Sequence, residues 1–244
     1  MCAYLVSAGL VIYPGLQALW VAALRQRTTL HLAFATMCFC AAGFQWIQIE
    51  YHQAHTLAQA GSAMRQQVAI AGVFMLSFVA FVGIYTQQPH LRRWLVLLAV
   101  YVGGLLLVNA SQPYGLRFEE LSPAPPLVMP WGERLADFSG QAGWGSSIAR
   151  ASFTAVLVWA MWRALRQYRD GRRRRAGLLT VCVALLVMAT AWGTLIDTGA
   201  IRSVYAVGFA YAAMSLFMSI ELGLELRERT QALVTAVAEL RQEE

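Results

Sequence analysis

Four polar side chains recur along one short stretch of an otherwise apolar sequence. Gln45, Gln48, His52 and His55 fall within an arc of ~80° if a helix continues past Ile49, since each helical residue adds ~100°. Polar residues at membrane depth usually face the interior of a helix bundle. The stripe therefore predicts a polar ligand pocket. The H-x-x-H spacing of His52 and His55 would also suit a metal or haem site. No third ligand is placed to complete a metal shell, so we predict no cofactor, and solvated interfacial histidines stay an alternative.

A second group of polar residues is expected at a similar height, close to helix ends on the outer side of a membrane. Both charge signs are present, so these groups can pair with one another, and ion pairs that only fix the loops explain the pattern as well as ligand binding does. The candidate ligand-binding set is Gln45, Gln48, His52, His55, Arg117, Trp131, Glu133, Asp197 and Arg202. The same rim also contains Glu50, Arg65, Asn109 and Arg150.

Several chemistries are disfavoured, and no catalytic residue is predicted. A retinal Schiff base needs a Lys, and this sequence has none. Zinc hydrolases need several His and Asp ligands, which the apolar stretches lack. The segment Gly143–Ser147 lacks the G-x-S-x-G spacing of a serine nucleophile. The four Cys residues are interpreted as small apolar packing residues.

Seven apolar stretches must position these residues. A spanning helix needs ~20 mostly apolar residues because the bilayer core is ~30 Å thick. The chain is 58% hydrophobic and 13% charged, with a mean hydropathy of +0.51, whereas soluble domains contain ~25% charged residues. These features predict an all-α polytopic membrane protein, a seven-transmembrane-helix bundle over residues 1–224. The predicted spans are Ala3–Leu24, Thr29–Ile49, Val68–Tyr85, Trp94–Asn109, Ser147–Arg166, Ala176–Ile196 and Val204–Leu224.

Arginine predicts the orientation. All 19 basic residues are Arg, and fourteen of them fall in alternate connections and the C-terminal tail. Short loops rich in Arg stay cytoplasmic, so we predict the N-terminus outside and the C-terminus in the cytoplasm. The run Arg172–Arg175 is interpreted as an anchor at anionic lipid headgroups rather than a nucleic-acid site.

One outer loop, residues 110–146, is the largest element predicted outside the spans. It holds five of the seven prolines, which predicts turns. Within it, LRFEEL (116–121) and PLVMP (126–130) are predicted as two short strands with a turn near Gly132. Aromatic residues in the loop favour an ordered cap on the membrane face.

The last span leads without a break into a charged helix, residues 225–244. Leu226, Leu233 and Leu240 recur every seven residues, with Thr230 and Val237 at the alternate seam positions. This pattern predicts a parallel coiled coil and hence a homodimer, and a single amphipathic helix along the inner leaflet is the alternative. Glu221 precedes this helix as either a snorkelling acid or a coupling residue. Because the pattern ends mid-repeat, we expect an output domain to follow.

The whole chain resembles the N-terminal seven-helix sensor modules of bacterial membrane receptors. The resemblance rests on the predicted topology, on PYGLRF (113–118) and PWGE (130–133) in the outer loop, and on the exit helix LELRERTQALVTAVAELRQEE. It implies the bacterial inner membrane and an output domain of the histidine kinase or diguanylate cyclase type. The sequence contains no kinase His-box, nucleotide-binding motif or cyclase motif, so the resemblance implies sensing and transmission through Glu221, Leu226, Leu233 and Leu240.

The sequence thus predicts a receptor module that responds to a small-molecule or lipid-like ligand, at the outer rim or within the bundle. A small-molecule transporter or channel is the main alternative, because seven spans also suit transport. A transporter is expected to contain internal repeats and interrupted spans, and no convincing repeat is visible. An intramembrane enzyme or cofactor carrier is the third possibility.

Overall fold

A computed structural model describes residues 1–24, 28–129, 132–171, 173–201 and 203–242. This part of the chain forms seven helices, each long and apolar enough to cross a membrane, so the seven-helix prediction is confirmed. A two-stranded hairpin is added between the fourth and fifth helices. The elements are α1 (Cys2–Leu24), α2 (Thr28–His52), α3 (Leu57–Tyr85), α4 (Leu91–Ser111), β1 (Phe118–Val128), β2 (Arg134–Ala142), α5 (Trp144–Arg169), α6 (Arg173–Asp197) and α7 (Val207–Gln242).

The third helix begins about three turns earlier than the predicted start at Val68. Its first turn is capped by Thr56, whose side chain accepts a hydrogen bond from the backbone N–H of Gln59. The added segment is rich in Ala and Gln, which favour helix without being strongly apolar. Apolar length alone therefore places this segment in a connection between spans, whereas the chain between α2 and α3 is a short turn.

The helices pack in pairs along the chain, and the last helix closes the bundle. α1 packs on α2, α2 on α3, and α5 on α6, while α7 contacts α1, α2 and α6. The centre holds the aromatic residues Phe34, Phe74, Phe78 and Phe81, all fully buried. α4 packs mainly against α3 and buries few of its side chains, so its surface suits lipid.

The hairpin adds two strands to a helical fold, and it corrects the positions of the predicted strands. LRFEEL and PLVMP overlap the same strand, β1, which pairs antiparallel with β2 from Phe118–Ala142 to Val128–Arg134. β1 continues past Pro125 and Pro126 because the pairing is irregular between Ala124 and Leu127, where backbone donors are not needed. The turn near Gly132 is confirmed, and that glycine has a φ of +87°.

The buried face of the hairpin packs on the ends of α2 and α3. Phe118 and Leu121 of β1 form an apolar cluster with Tyr51 of α2 and Met64 of α3. We call this side of the bundle the hairpin end, and the opposite side, where α7 leaves the bundle, the exit end.

At the exit end, a buried arginine ties α5 to the connection between α3 and α4. Arg163 donates from Nε to Thr86 Oγ1 at 3.0 Å and from Nη2 to the Thr86 carbonyl at 2.6 Å. Gln167 adds a hydrogen bond from its side-chain amide to the Tyr85 carbonyl at 3.2 Å. Arg163 is one of the fourteen arginines on which the predicted orientation rests, and it is only 5% exposed.

Candidate functional site

Three members of the predicted polar stripe lie inside the bundle. Gln45, Gln48 and His52 are 0%, 1% and 6% exposed. His55 departs from the stripe because α2 ends at His52, and the chain then turns. The His55 side chain is exposed, and its backbone N–H donates to Gln59 Oε1. The two imidazoles therefore do not share a helix face.

A chain of hydrogen bonds crosses the bundle beneath the hairpin. Arg117 Nη1 donates to Gln67 Oε1 at 3.3 Å, and Gln67 Nε2 donates to Gln48 Oε1 at 2.7 Å. Gln48 Nε2 meets His52 Nε2 at 3.0 Å, and His52 Nδ1 meets the carbonyl of Ala136 at 3.1 Å. Arg117 precedes β1 and Ala136 lies in β2, so this hydrogen-bond chain joins both strands to α2 and α3.

The two ends of the hydrogen-bond chain determine the direction of every bond in it. A guanidinium can only donate and a backbone carbonyl can only accept. His52 must therefore be neutral, with its proton on Nδ1 facing Ala136. A second proton on Nε2 would face the amide group of Gln48. If that amide were reversed, its NH₂ group would face the NH₂ group of Gln67. Gln67 would then have to reverse as well, and its NH₂ group would face the guanidinium of Arg117, which can only donate.

Arg117 is also part of a charged centre with α6 and α7. Its Nη2 donates to Asp197 Oδ1 at 2.9 Å, and the Tyr205 hydroxyl donates to the same oxygen at 2.8 Å. Asp197 Oδ2 lies 3.8 Å from Arg150 Nη1. The Arg117 guanidinium also lies over the Tyr205 ring, 4.2 Å from its centroid, where the face of the ring attracts a cation.

The surroundings hold Arg117 and Tyr205 in their usual protonation states. Burial lowers the pKa of the Arg117 guanidinium, but Tyr205 and Asp197 outweigh it, so the pKa lies above its ordinary value. Burial raises the pKa of the Tyr205 phenol, while Arg117 opposes the rise and Asp197 adds to it. Asp197 can therefore accept hydrogen bonds from a charged guanidinium and a protonated phenol.

The segment between α4 and β1 is fixed by the end of α4 and by α3. Asn109 donates to the Arg65 carbonyl at 3.0 Å and accepts from the Leu116 backbone N–H at 3.0 Å. Arg65 donates to the Pro113 carbonyl at 3.0 Å. Gly115 has a φ of +68°, and a Cβ there would lie 2.5 Å from Asn109 Oδ1. This turn presents Arg117 to the bundle.

A cavity of about 240 Å³ lies next to the charged centre, and residues of α2 to α7 line it. Arg117, Arg150 and Asp197 line one end of it, at the hairpin end of the bundle. The rest of its wall is mostly apolar and includes Met75, Val102, Leu106, Phe153, Val207 and Tyr211. An apolar chamber with a few converging polar groups is the usual form of a small-molecule site.

The start of α7 contacts the polar groups and the cavity. Gln45 donates to Ser7 Oγ of α1 at 2.6 Å, and its amide is so close to Gly208 that a Cβ there would lie 2.8 Å from Oε1. Phe209 stacks on Tyr4, with ring centroids 5.1 Å apart. Any displacement of these polar side chains therefore acts directly on the first turn of α7.

The other predicted site residues lie away from the charged centre or outside the described residues. Glu133 lies apart from the charged centre, at the hairpin turn, where it pairs with the Met1 ammonium at 2.8 Å. Trp131 and Arg202 lie outside the described residues. Glu221, near the exit end, is 4% exposed and pairs with Arg174 of α6 at 3.2 Å. α7 continues as a helix to Gln242, but the side chains of Leu226, Leu233 and Leu240 fall outside the described part.

Sequence reasoning did not assign Gln67 and Tyr205 to the site. Gln67 falls in the connection between the predicted second and third spans, although it follows Gln66 within a segment of good helix formers. Tyr205 falls within the predicted last span, whereas in the structure it precedes α7 and donates a hydrogen bond to Asp197. The polar tip of a tyrosine is the signal that could have identified it.

In the described ranges, no three His, Cys, Asp or Glu side chains are grouped so that they could hold a metal ion. No model of a known protein family matches this chain, and no curated protein matches it.

Proposed function

We propose that the protein is a membrane receptor module in which a stimulus at the hairpin end is transmitted through α7. The observation that carries this proposal is the position of Asp197. Its carboxylate binds Arg117 from the hairpin segment and Tyr205 from the connection to α7. A change at the charged centre therefore reaches α7 within two residues of its first turn.

The length of α7 supports transmission beyond the membrane. It has 36 residues, which corresponds to about 54 Å of helix, whereas the hydrocarbon core of a bilayer is about 30 Å thick. Only Val207–Leu224 has the composition of a span. The remaining turns extend from the exit end as a rigid continuation, so a shift or rotation at Gly208 is carried along the same helix.

The packing below the cavity favours a receptor over the transporter or channel. The cavity reaches Met75 in α3 and Thr190 in α6. Further toward the exit end, Phe78, Phe81 and Leu186 are almost fully buried. A ligand in the cavity thus meets a packed core. A receptor needs a ligand that binds one packing of such a core more tightly than another.

The proposal includes a parallel homodimer through the exit helix, with Leu226, Leu233 and Leu240 at the seam, and an output domain beyond it. The seven-residue spacing supports the pairing. The resemblance to sensor modules supports a kinase-type or cyclase-type output, the bacterial inner membrane and a cytoplasmic exit end. Cysteine replacements at Leu233 and Leu240 should cross-link between copies more readily than one at Ala236, and equal cross-linking at all three would contradict the seam.

The test of transmission is a distance measurement on the full chain. Spin labels at Arg92→Cys and Gln231→Cys, in a Cys2→Ser background, report the position of α7 against the rest of the bundle, because both sites are exposed and the other three cysteines are buried. Tyr205→Phe removes the hydrogen bond to Asp197 and should shift the distance by about 1–2 Å or more.

The matched control is Arg134→Gln, an exposed residue of the hairpin, which should leave the distance unchanged. Identical distances in the original protein, in Tyr205→Phe and in Arg117→Gln would reject the receptor function.

A further inference from the structure

The charged end of the cavity carries more positive than negative charge. Arg117 and Arg150 line it together with one carboxylate, that of Asp197. Among the described residues, no other acidic side chain lines this cavity. The charged end therefore has a net charge of plus one, in a setting where the neighbouring wall is apolar and interactions between charges are strong.

Arg150 is the group with donors to spare. Its Nη2 donates to Ser146 Oγ at 3.1 Å, but its Nη1 lies 3.8 Å from Asp197 Oδ2, which is beyond hydrogen-bond distance. Asp197 already accepts at Oδ1 from Arg117 and Tyr205. Since a guanidinium has five N–H donors in a planar fork, Arg150 can bind a second carboxylate.

We infer that this cavity binds a monoanionic amphiphile, a free carboxylate on a single short apolar chain. The head group lies against Arg150 and Arg117, and the chain lies along Met75, Val102 and Leu106. This assignment rests on the proposed receptor function for its role, because the same cavity is lined by Val207 and Tyr211 of α7. A bound chain therefore contacts the transmitting helix directly.

Size and charge together define this ligand class. The cavity of about 240 Å³ exceeds the ~150 Å³ that holds a benzene ring and falls below the range of about 300–1,000 Å³ of drug-sized sites. A two-chain phospholipid is therefore too large. A monoanion neutralises the charged end, whereas a cation is repelled. A neutral chain adds no acceptor for the remaining donors of Arg150.

The test is calorimetric titration of octanoate into nanodiscs of zwitterionic lipid that contain the full chain, with empty nanodiscs of the same composition as the blank. Octanoate should bind saturably and about tenfold more tightly than octanol, which has the same chain and no charge. The affinity should be unchanged when phosphatidylglycerol is included in the nanodiscs. Equal affinities for octanoate and octanol, or loss of octanoate binding in phosphatidylglycerol, would overturn the inference.

Two variants separate the head-group site from the chain site. Arg150→Gln keeps a donor for Ser146 and should weaken octanoate about tenfold while octanol is unaffected; Arg134→Gln is its matched control. Ala149→Leu fills part of the cavity and should weaken both ligands. Ala155→Leu makes the same change on an exposed face of α5 and should weaken neither. Unchanged octanoate affinity in Arg150→Gln and Ala149→Leu would reject the site.

The spin-label distance between positions 92 and 231 distinguishes this inference from the proposed function. Saturable octanoate binding that leaves the distance unchanged would establish the ligand site and contradict the receptor function. A distance that responds to Tyr205→Phe, in a protein that does not bind octanoate, would support the receptor function and reject this ligand class.

Discussion

At the scale of single residues, the site depends on amides that link a donor-only group to an acceptor-only group. Gln67 and Gln48 each accept at the carbonyl oxygen and donate at the nitrogen, so the hydrogen-bond chain has one consistent direction from Arg117 to Ala136. A buried polar group without a partner costs about 1–3 kcal/mol, more than the roughly 0.5–1.5 kcal/mol that a typical hydrogen bond contributes. Replacing one amide therefore affects both of its neighbours.

Gln67→Leu should lower the free energy of unfolding by about 1–3 kcal/mol, because it leaves Gln48 Oε1 and Arg117 Nη1 without their partners. The adjacent Gln66 is exposed, so Gln66→Leu makes the same change on the outside of the helix and should cost no more than about 0.5 kcal/mol. Denaturation in mixed detergent micelles measures both. Equal losses would show that the amide of Gln67 is not needed for stability.

The ion pair between Arg117 and Asp197 is expected to be the strongest polar contact of the site. Each side chain is 16% exposed, so Asp197→Asn should cost near the lower end of the range of about 3–5 kcal/mol for breaking a buried pair. The double variant with Arg117→Gln should recover part of that loss, because no unpaired charge then remains at this contact. If the loss of stability in the double variant equals the sum of the losses in the two single variants, the coupling energy is zero and this prediction is contradicted.

At the scale of elements, the close contact between α2 and α7 is the most restrictive feature. Gly208→Ala places a Cβ 2.8 Å from Gln45 Oε1 and 2.9 Å from its Cδ. Overpacking of this kind costs about 1–3 kcal/mol, and it should also shift the spin-label distance along α7. Gly223→Ala is the control on the same helix, because nothing lies within 4 Å of its added Cβ.

Shortening Gln45 tests whether this contact causes the effect. Adding Gln45→Ala to Gly208→Ala removes the atoms that the new methyl group meets, so stability and the label distance should return toward those of Gln45→Ala alone. If Gly208→Ala stays equally damaging in both backgrounds, the first turn of α7 is constrained by something other than Gln45.

The elements also show how far sequence alone could reach. Apolar length predicted all seven helices, because lipid requires each span to satisfy its own backbone. It did not predict the Ala- and Gln-rich first turns of α3. Sequence also did not predict that β1 runs as one strand past Pro125 and Pro126. Residue spacing brought Gln45, Gln48 and His52 to one face of α2. It could not predict that Gln67 and Tyr205 complete the site, since those contacts join segments that are distant in sequence.

At the scale of the whole molecule, two ends with different chemistry are separated by the apolar bundle. The hairpin end carries the paired charges of Arg117, Asp197 and Arg150. The exit end carries exposed arginines such as Arg92, Arg93 and Arg169. Short connections rich in arginine are retained in the cytoplasm, so the bundle should be inserted with its hairpin end outside.

Reporter fusions test this orientation. Fusions that end at Pro89 or Asp170 should give a cytoplasmic signal, and a fusion at Gly132 in the hairpin turn should give an outer one, because an even number of spans separates it from an outer N-terminus. Replacing Arg92 and Arg93 by Gln weakens the charge bias and should lower the cytoplasmic signal at Pro89. A cytoplasmic signal at Gly132 would reverse the bundle. The cavity and Arg150 would then open toward the cytoplasmic side, and a carboxylate ligand would have to come from inside the cell.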